Sequence, residues 1–172
     1  MRFVAGNFAR VACLVTTQAR QWYETDTQQR VEVTAPDNVL VSGQLVSGAV
    51  ASIHVAAVPW AGSGFRLEIY GREGTLVTTG NVSSQRGEML RLQGARGSHE
   101  LRELAIPERF VYVPADFPRG DPFNVGQMYA LFAAAIRTGQ SHLPTFDTAV
   151  DLHHFVDTIK QASDTGRELP VA

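Results

Sequence analysis

The spacing of apolar residues changes once along this chain of 172 residues. From about residue 9 to residue 113, apolar and polar residues alternate in short runs, as they do in strands with one buried face. In the last third, apolar residues recur every three or four positions, which is the spacing of one helical face. We therefore predict an α+β fold in which a large, mostly antiparallel β-sheet carries two C-terminal helices packed on one face.

The clearest strand pair lies between Phe65 and Thr79. The run FRLEIY at 65–70 alternates apolar and polar residues, and the return strand begins near Leu76. Gly71 and Gly74 are predicted to supply positive φ angles in the turn between the two strands. Further strands are predicted at 10–19, 38–46, 49–58, 88–93 and 99–104, with Ser47-Gly48 as a hairpin turn.

The two helices are predicted at about 121–138 and 146–165. Gly139 ends the first, and Thr145 and Gly166 are the predicted caps of the second. The first helix has one apolar stripe, which predicts one buried face. Its members are Val125, Met128, Tyr129, Phe132, Ala133 and Ile136.

Composition excludes several classes of protein. The 15 basic and 17 acidic side chains leave no excess positive charge to attract nucleic acid or an anionic membrane surface. Cys13 is the only cysteine, so the chain can form no internal disulfide, and a reducing compartment is expected. Without a long apolar run or a signal peptide, residues 1–172 are predicted to form a single cytoplasmic domain that binds no membrane.

No catalytic, cofactor or metal site is predicted in the chain itself. A glycine-rich phosphate loop between strand and helix is absent, and no serine stands in a G-x-S-x-G elbow. His153 and His154 are adjacent on a helix and point about 100° apart, so they cannot easily share an ion. His153 is instead predicted to be a hydrogen-bonded core histidine, and His154 to face solvent.

Three residues are candidates for binding a small molecule. Trp60 and Arg66 flank the loop Gly62-Ser63-Gly64 and could present an aromatic face and a forked donor to a polar ligand. His54 lies in a strand and could line a pocket on the open sheet face. The alternatives are that Trp60 packs at an interface and that His54 is an ordinary surface histidine.

Five segments in order resemble the C-terminal domain of the Gfo/Idh/MocA oxidoreductases. They are Pro36-Asp37, LVSGAVAS at 45–52, IYGREGTL at 69–76, YALFAAAIRTG at 129–139, and Phe146-Asp147 through Gly166. Within that family, the segment around Ser47-Gly48 resembles the branch that contains the fungal galactose-regulon repressor.

The resemblance implies a C-terminal domain that follows an N-terminal Rossmann domain, which binds NAD or NADP in the parent protein. It also implies that 60–66 contacts a small-molecule substrate and that the open sheet face forms a homo-oligomer. The family's catalytic D-x-G-x-H run is absent, so no catalytic residue carries over. Two functions stay open: the substrate-binding and oligomerisation domain of a sugar or polyol oxidoreductase, and a non-catalytic regulatory or protein-binding module of the repressor type.

Overall fold

The computed structural model describes residues 2–57, 62, 64–80, 90–97, 99–141 and 144–171. Two compact units divide the chain: the first combines Met1–Trp60 with Pro144–Ala172, and the second is Ala61–Leu143. The first unit is therefore discontinuous in sequence. None of the described helices is long and apolar enough to cross a membrane.

The first unit contains a four-stranded antiparallel sheet in the order β10-β1-β4-β5. Its strands are β1 (Phe8–Thr16), β4 (Asn38–Leu45), β5 (Val50–Ala56) and β10 (Leu169–Pro170). A short helix α1 (Arg2–Ala5) precedes β1. Strands β2 (Gln21–Tyr23) and β3 (Arg30–Glu32) form a separate two-stranded ribbon between β1 and β4.

Helix α3 (Phe146–Thr165) covers one face of this first sheet. The core beneath it consists of Phe8, Val11, Val41 and Leu45, with Phe155 and Ile159 of the helix packed against them. The rings of Phe8 and Phe155 stack with centroids 5.5 Å apart. The Ser163 hydroxyl also accepts a hydrogen bond from the Val15 amide at 2.8 Å, which ties the helix to β1.

The second unit contains a four-stranded antiparallel sheet in the order β6-β7-β8-β9. Its strands are β6 (Phe65–Tyr70), β7 (Gly74–Gly80), β8 (Arg91–Arg96) and β9 (Arg102–Glu103). After a 3-10 turn at Glu108–Phe110, helix α2 (Asp121–Thr138) completes the unit. Val77 at the centre of the sheet and Phe123 on the helix are its buried apolar side chains among the described residues.

The predicted α+β class, with mostly antiparallel sheets and two main helices, is confirmed. The described strands form two four-stranded sheets and one ribbon, where the sequence predicted one large sheet. Helix α3 packs on the first sheet, and α2 belongs to the second unit. The bounds of both helices match the predicted ranges. That 1–172 form one domain stays a prediction.

Three local predictions were wrong. Gly71 and Gly74 do not have positive φ angles. Gly74 is needed for space instead, because a Cβ there would lie 2.1 Å from the carbonyl oxygen of Ala95 on the paired strand. His153 is exposed, because the inner side of α3 is formed by Phe155, Ile159 and Ala162.

The apolar stripe predicted to be the buried face of α2 is also exposed in the structure. The five large side chains of that stripe are between 50% and 69% exposed. The opposite side of the helix, which carries Gly126 and Phe123, makes the contacts with the rest of its unit.

Candidate functional site

His54 lies on the face of the first sheet that is turned away from α3. Residues paired across antiparallel strands share a face, and His54 of β5 pairs with Leu40 of β4, which pairs with Leu14 of β1. The neighbouring row is Ala12, Ser42 and Ser52. This face, which we call the open face, has an apolar centre bordered by small polar side chains.

A shallow, open depression of about 460 Å³ crosses these three strands. Its lining is contributed by residues 12–14 of β1, 40–42 of β4 and 52–54 of β5. The side chain of the half-buried Cys13 alternates to the other face and packs against the core there, and burial raises the pKa of that thiol. A thiol with a raised pKa is mostly protonated at neutral pH and is a weak nucleophile.

His54 has one side-chain partner in the described part of the chain. Its Nε2 lies 3.4 Å from Oδ1 of Asn38, which can only accept, so the interaction requires the tautomer protonated at Nε2. In the neutral form of that ring, Nδ1 is an acceptor for a ligand hydroxyl. His54 and Asn38 therefore present an acceptor and an amide side by side at one end of the depression.

Arg66 lies on a polar face of the second sheet. Because side chains on one strand alternate, Arg66, Glu68 and Tyr70 of β6 share this face. The Arg66 guanidinium donates two hydrogen bonds to Oε1 of Glu68. On the same face, near the other edge of the sheet, Arg91 of β8 donates to Glu103 of β9 at 2.8 Å.

We call Arg66, Glu68 and Tyr70 the β6 row. These contacts shift the pKa values of Glu68 and Tyr70. The hydrogen bond from Arg66 holds the pKa of Glu68 below its ordinary value, and Tyr70 adds a second donor. The same carboxylate raises the pKa of the Tyr70 phenol by accepting its hydrogen bond. At neutral pH the row therefore consists of a guanidinium, a carboxylate and a protonated phenol.

The predicted site residues are divided between the two units. His54 lies in the first unit, Arg66 lies in the second, and Trp60 is outside the residues that the structure describes. Sequence reasoning missed Asn38, Glu68 and Tyr70 as neighbours of the candidates. The alternation of β6 could have identified the last two, since strand residues two apart share a face. Asn38 could not be identified in this way, because its position beside His54 is set by the register between β4 and β5.

The described residues contain no group of three or more histidine, cysteine, aspartate or glutamate side chains placed to hold a metal ion. The geometry of both faces is that of hydrogen-bonding surfaces, because their polar groups are exposed and are arranged in rows along strands.

Comparison with protein families gives a match for the first part of the chain. Residues 1–77 match the family model described as the GFO/IDH/MocA C-terminal domain. The first part of the chain is therefore similar to this domain, which agrees with the resemblance predicted from the sequence. The matched residues include strands β1, β4 and β5 and the β6–β7 hairpin up to Val77.

Solved structures share the fold of this chain over nearly its whole length. Levoglucosan dehydrogenase in complex with NADH and L-sorbose is 20% identical, with a TM-score of 0.81 over 99% of this chain and 47% of that one. An NAD binding oxidoreductase from Klebsiella pneumoniae is 21% identical, with a TM-score of 0.77 over 99% and 47%.

The super-repressor mutant of Gal80p from Saccharomyces cerevisiae is also similar. It is 17% identical, with a TM-score of 0.72 over 95% of this chain and 44% of that one. The chain thus spans about half the length of the structures it resembles. None of the curated proteins matches the sequence significantly.

Proposed function

We propose that this chain is the substrate-binding and self-associating part of an NAD(P)-dependent oxidoreductase that acts on a sugar, polyol or related hydroxyl compound. The observation that carries the proposal is the likeness to levoglucosan dehydrogenase bound to NADH and L-sorbose, which extends over 99% of the chain. At 20% identity that likeness concerns the fold, so the substrate class is argued from the chain's own side chains.

The β6 row suits a ligand with several hydroxyl groups. A hydroxyl both donates and accepts, and the row offers a guanidinium that only donates, a carboxylate that only accepts and a phenol that can do both. On the first unit, His54 and Asn38 offer a ring nitrogen and an amide, which also combine donors and acceptors. Neither group of side chains resembles an oxyanion hole or a hydride-transfer site, and the chain is proposed to be inactive by itself.

The cofactor is proposed to belong to the parent protein. NADH is bound in the levoglucosan dehydrogenase complex, and the chain corresponds to 47% of that enzyme. An N-terminal Rossmann domain of the parent would hold NAD or NADP and supply the hydride chemistry. The cytoplasm is the proposed compartment, and the exposed Leu14 and Leu40 make the open face the proposed surface for association with a second copy.

Titration by NMR tests the substrate assignment. L-sorbose and levoglucosan should produce saturable amide shifts at residues 64–70 or near His54. Arg66→Ala should weaken the binding about tenfold or more, the loss expected of a charge-assisted hydrogen bond to the ligand. Arg72→Ala, which removes an exposed arginine in the adjacent turn, is the matched control and should bind like the wild type. Absence of saturable shifts with every polyol tried would refute the substrate-binding role.

The likeness to Gal80p supports a second candidate, a non-catalytic regulatory or protein-binding module. The sequence encoded upstream of Met1 separates the two. A G-x-G-x-x-G fingerprint together with the catalytic lysine and D-x-G-x-H runs favours the oxidoreductase. A Rossmann domain that lacks the lysine and the histidine favours the regulator.

A further inference from the structure

A series of hydrogen bonds links the buried Asp37 to the exposed His54 through one amide side chain. Asp37 precedes β4, Asn38 is the first residue of that strand, and His54 lies on the neighbouring strand β5. The Nδ2 atom of Asn38 donates to Oδ1 of Asp37 at 2.9 Å, and the Nε2 atom of His54 lies 3.4 Å from Oδ1 of Asn38. All three residues belong to the first unit.

The buried end of this series is fixed by the backbone. Oδ2 of Asp37 accepts from the amides of Ala19 at 2.7 Å and Gln18 at 3.0 Å, and Oδ1 accepts from the same Gln18 amide at 2.8 Å. These hydrogen bonds, with that of Gln18 foremost, lower the pKa of Asp37, so its carboxyl group is ionised at neutral pH. An ionised carboxylate can only accept hydrogen bonds. Asn38 must therefore present its NH2 group, and not its oxygen, to Asp37.

The orientation of the Asn38 amide determines which nitrogen of His54 carries the proton. Because the NH2 group of Asn38 is held by Asp37, its oxygen is left for His54, and an amide oxygen can only accept. The ring nitrogen that lies against this oxygen, Nε2, must therefore donate. The neutral ring is then protonated at Nε2 and bare at Nδ1.

We propose that Asp37 and Asn38 are positioning residues that hold the ring of His54 in the tautomer protonated at Nε2. The carboxylate acts through the Asn38 amide, to which it is hydrogen-bonded. The bare Nδ1 can accept from a hydroxyl group but cannot bind a carbonyl or carboxylate oxygen. The tautomer thus gives the depression around His54 a preference for donor groups. This preference rests on the proposed substrate role, whereas the tautomer is a property of the free chain.

The variant Asp37→Asn tests the series, because it should invert the tautomer. The amides of Gln18 and Ala19 need an acceptor, so the oxygen of the substituted side chain is expected at the position of Oδ2 and its NH2 group at that of Oδ1. That NH2 group then donates to the oxygen of Asn38, which turns its own NH2 group towards His54. Nε2 of His54 must accept from it, and the proton moves to Nδ1.

Nitrogen-15 NMR of the histidine-labelled chain measures the tautomer, because protonated and bare ring nitrogens have well-separated chemical shifts. Spectra are recorded at alkaline pH, where histidine side chains are neutral. The variant His54→Gln identifies the signals of His54 among those of the five histidines. The wild type should show a protonated Nε2 and a bare Nδ1. Asp37→Asn should change the ratio of the two tautomers about tenfold in favour of protonated Nδ1, since one hydrogen bond is exchanged for its reverse.

Two further variants separate the positioning role from a structural one. Asn38→Ala interrupts the series but leaves the backbone contacts of Asp37 in place, so it should bring His54 to the tautomer ratio of a free histidine peptide. In that background, Asp37→Asn should have no further effect on the ring. Asp26→Asn removes an exposed carboxylate from the loop between β2 and β3 and should leave the ring as in the wild type.

The inference is overturned if the wild type and Asn38→Ala have the same tautomer ratio, or if Asp37→Asn leaves the ring protonated at Nε2. Amide spectra establish that each variant is folded. Should Asp37→Asn fail to fold, the comparison of the wild type with Asn38→Ala decides alone. The measurement uses no ligand, so a chain that shows the inversion and binds no polyol would refute the proposed substrate role and support the positioning role.

Discussion

Asp37 is the residue on which the connection between β1 and β4 depends. Its buried carboxylate accepts hydrogen bonds from the amides of Gln18 and Ala19 at 2.7–3.0 Å and from the side chain of Asn38 at 2.9 Å. These donors, with the Gln18 amide foremost, lower the pKa of Asp37. One side chain thereby fixes the end of β1 beside the start of β4.

We expect Asp37→Asn to lower the melting temperature by several degrees at pH 7, because an amide cannot accept with both atoms. The folded-state pKa lies below the unfolded value, so the stabilisation by the carboxylate is complete above about pH 4 and is lost as the pH falls through the lowered pKa. The difference between the two proteins should therefore shrink in acid. Thermal melts from pH 7 to pH 2 measure it.

Asp157→Asn, on the exposed side of α3, is the control for that series and should melt like the wild type throughout. A difference between Asp37→Asn and wild type that stays constant from pH 7 to pH 2 would contradict the assigned role of the carboxylate.

The β6 row shows how far the sequence determines a candidate site at the level of residues. Alternation along FRLEIY already places Arg66, Glu68 and Tyr70 on one face, and the structure adds that Arg66 is engaged by Glu68. His54 could be assigned to a strand, but its partner Asn38 could not be identified. That contact depends on a register which only tertiary packing fixes.

At the level of elements, α3 begins with a reciprocal capping arrangement. The Thr145 hydroxyl accepts from the Thr148 amide at 3.3 Å, and the Thr148 hydroxyl accepts from the Thr145 amide at 3.2 Å. Two of the first-turn amides are thus satisfied, with threonine in the place that glutamate usually takes.

Thr145→Ala should lower the free energy of unfolding by about 1 kcal/mol, the usual loss for an N-cap hydroxyl. Thr158→Ala removes a hydroxyl from the interior of the same helix, where it bonds to the carbonyl of His154, and should be neutral or slightly stabilising. Urea unfolding of both variants measures the difference. Equal losses would show that the cap contributes nothing specific.

The elements that could be predicted are those with long, regular patterns. The two helices and the strands of the first sheet follow apolar spacing, and Thr145 and Gly166 are recognisable caps. The β2–β3 ribbon was not predicted because its six residues are all exposed and show no alternation of burial. Strand β10 was not predicted because two residues carry no pattern, and its pairing with β1 is a long-range contact.

At the level of the whole molecule, the chain corresponds to about half of the structures that share its fold. A dinucleotide needs a glycine-rich turn at a helix N-terminus, and the sequence has no such turn. We therefore expect no saturable NADH or NADPH signal when the chain is titrated by fluorescence. A dehydrogenase of known affinity under the same conditions is the positive control. Saturable micromolar binding by the chain would refute the proposal that the cofactor is bound by another domain of the parent protein.

The pairing of β1 with both β4 and β10 has a consequence for synthesis on the ribosome. Strand β1 is synthesised long before β10, so the edge of β1 that pairs with β10 stays open until the chain has been made as far as β10. The core of the first unit also lacks Phe155 and Ile159 until then. The second unit lies between these segments and can fold while its neighbour is still incomplete. We therefore expect the second unit to complete its fold before the first, although the first begins earlier in the chain.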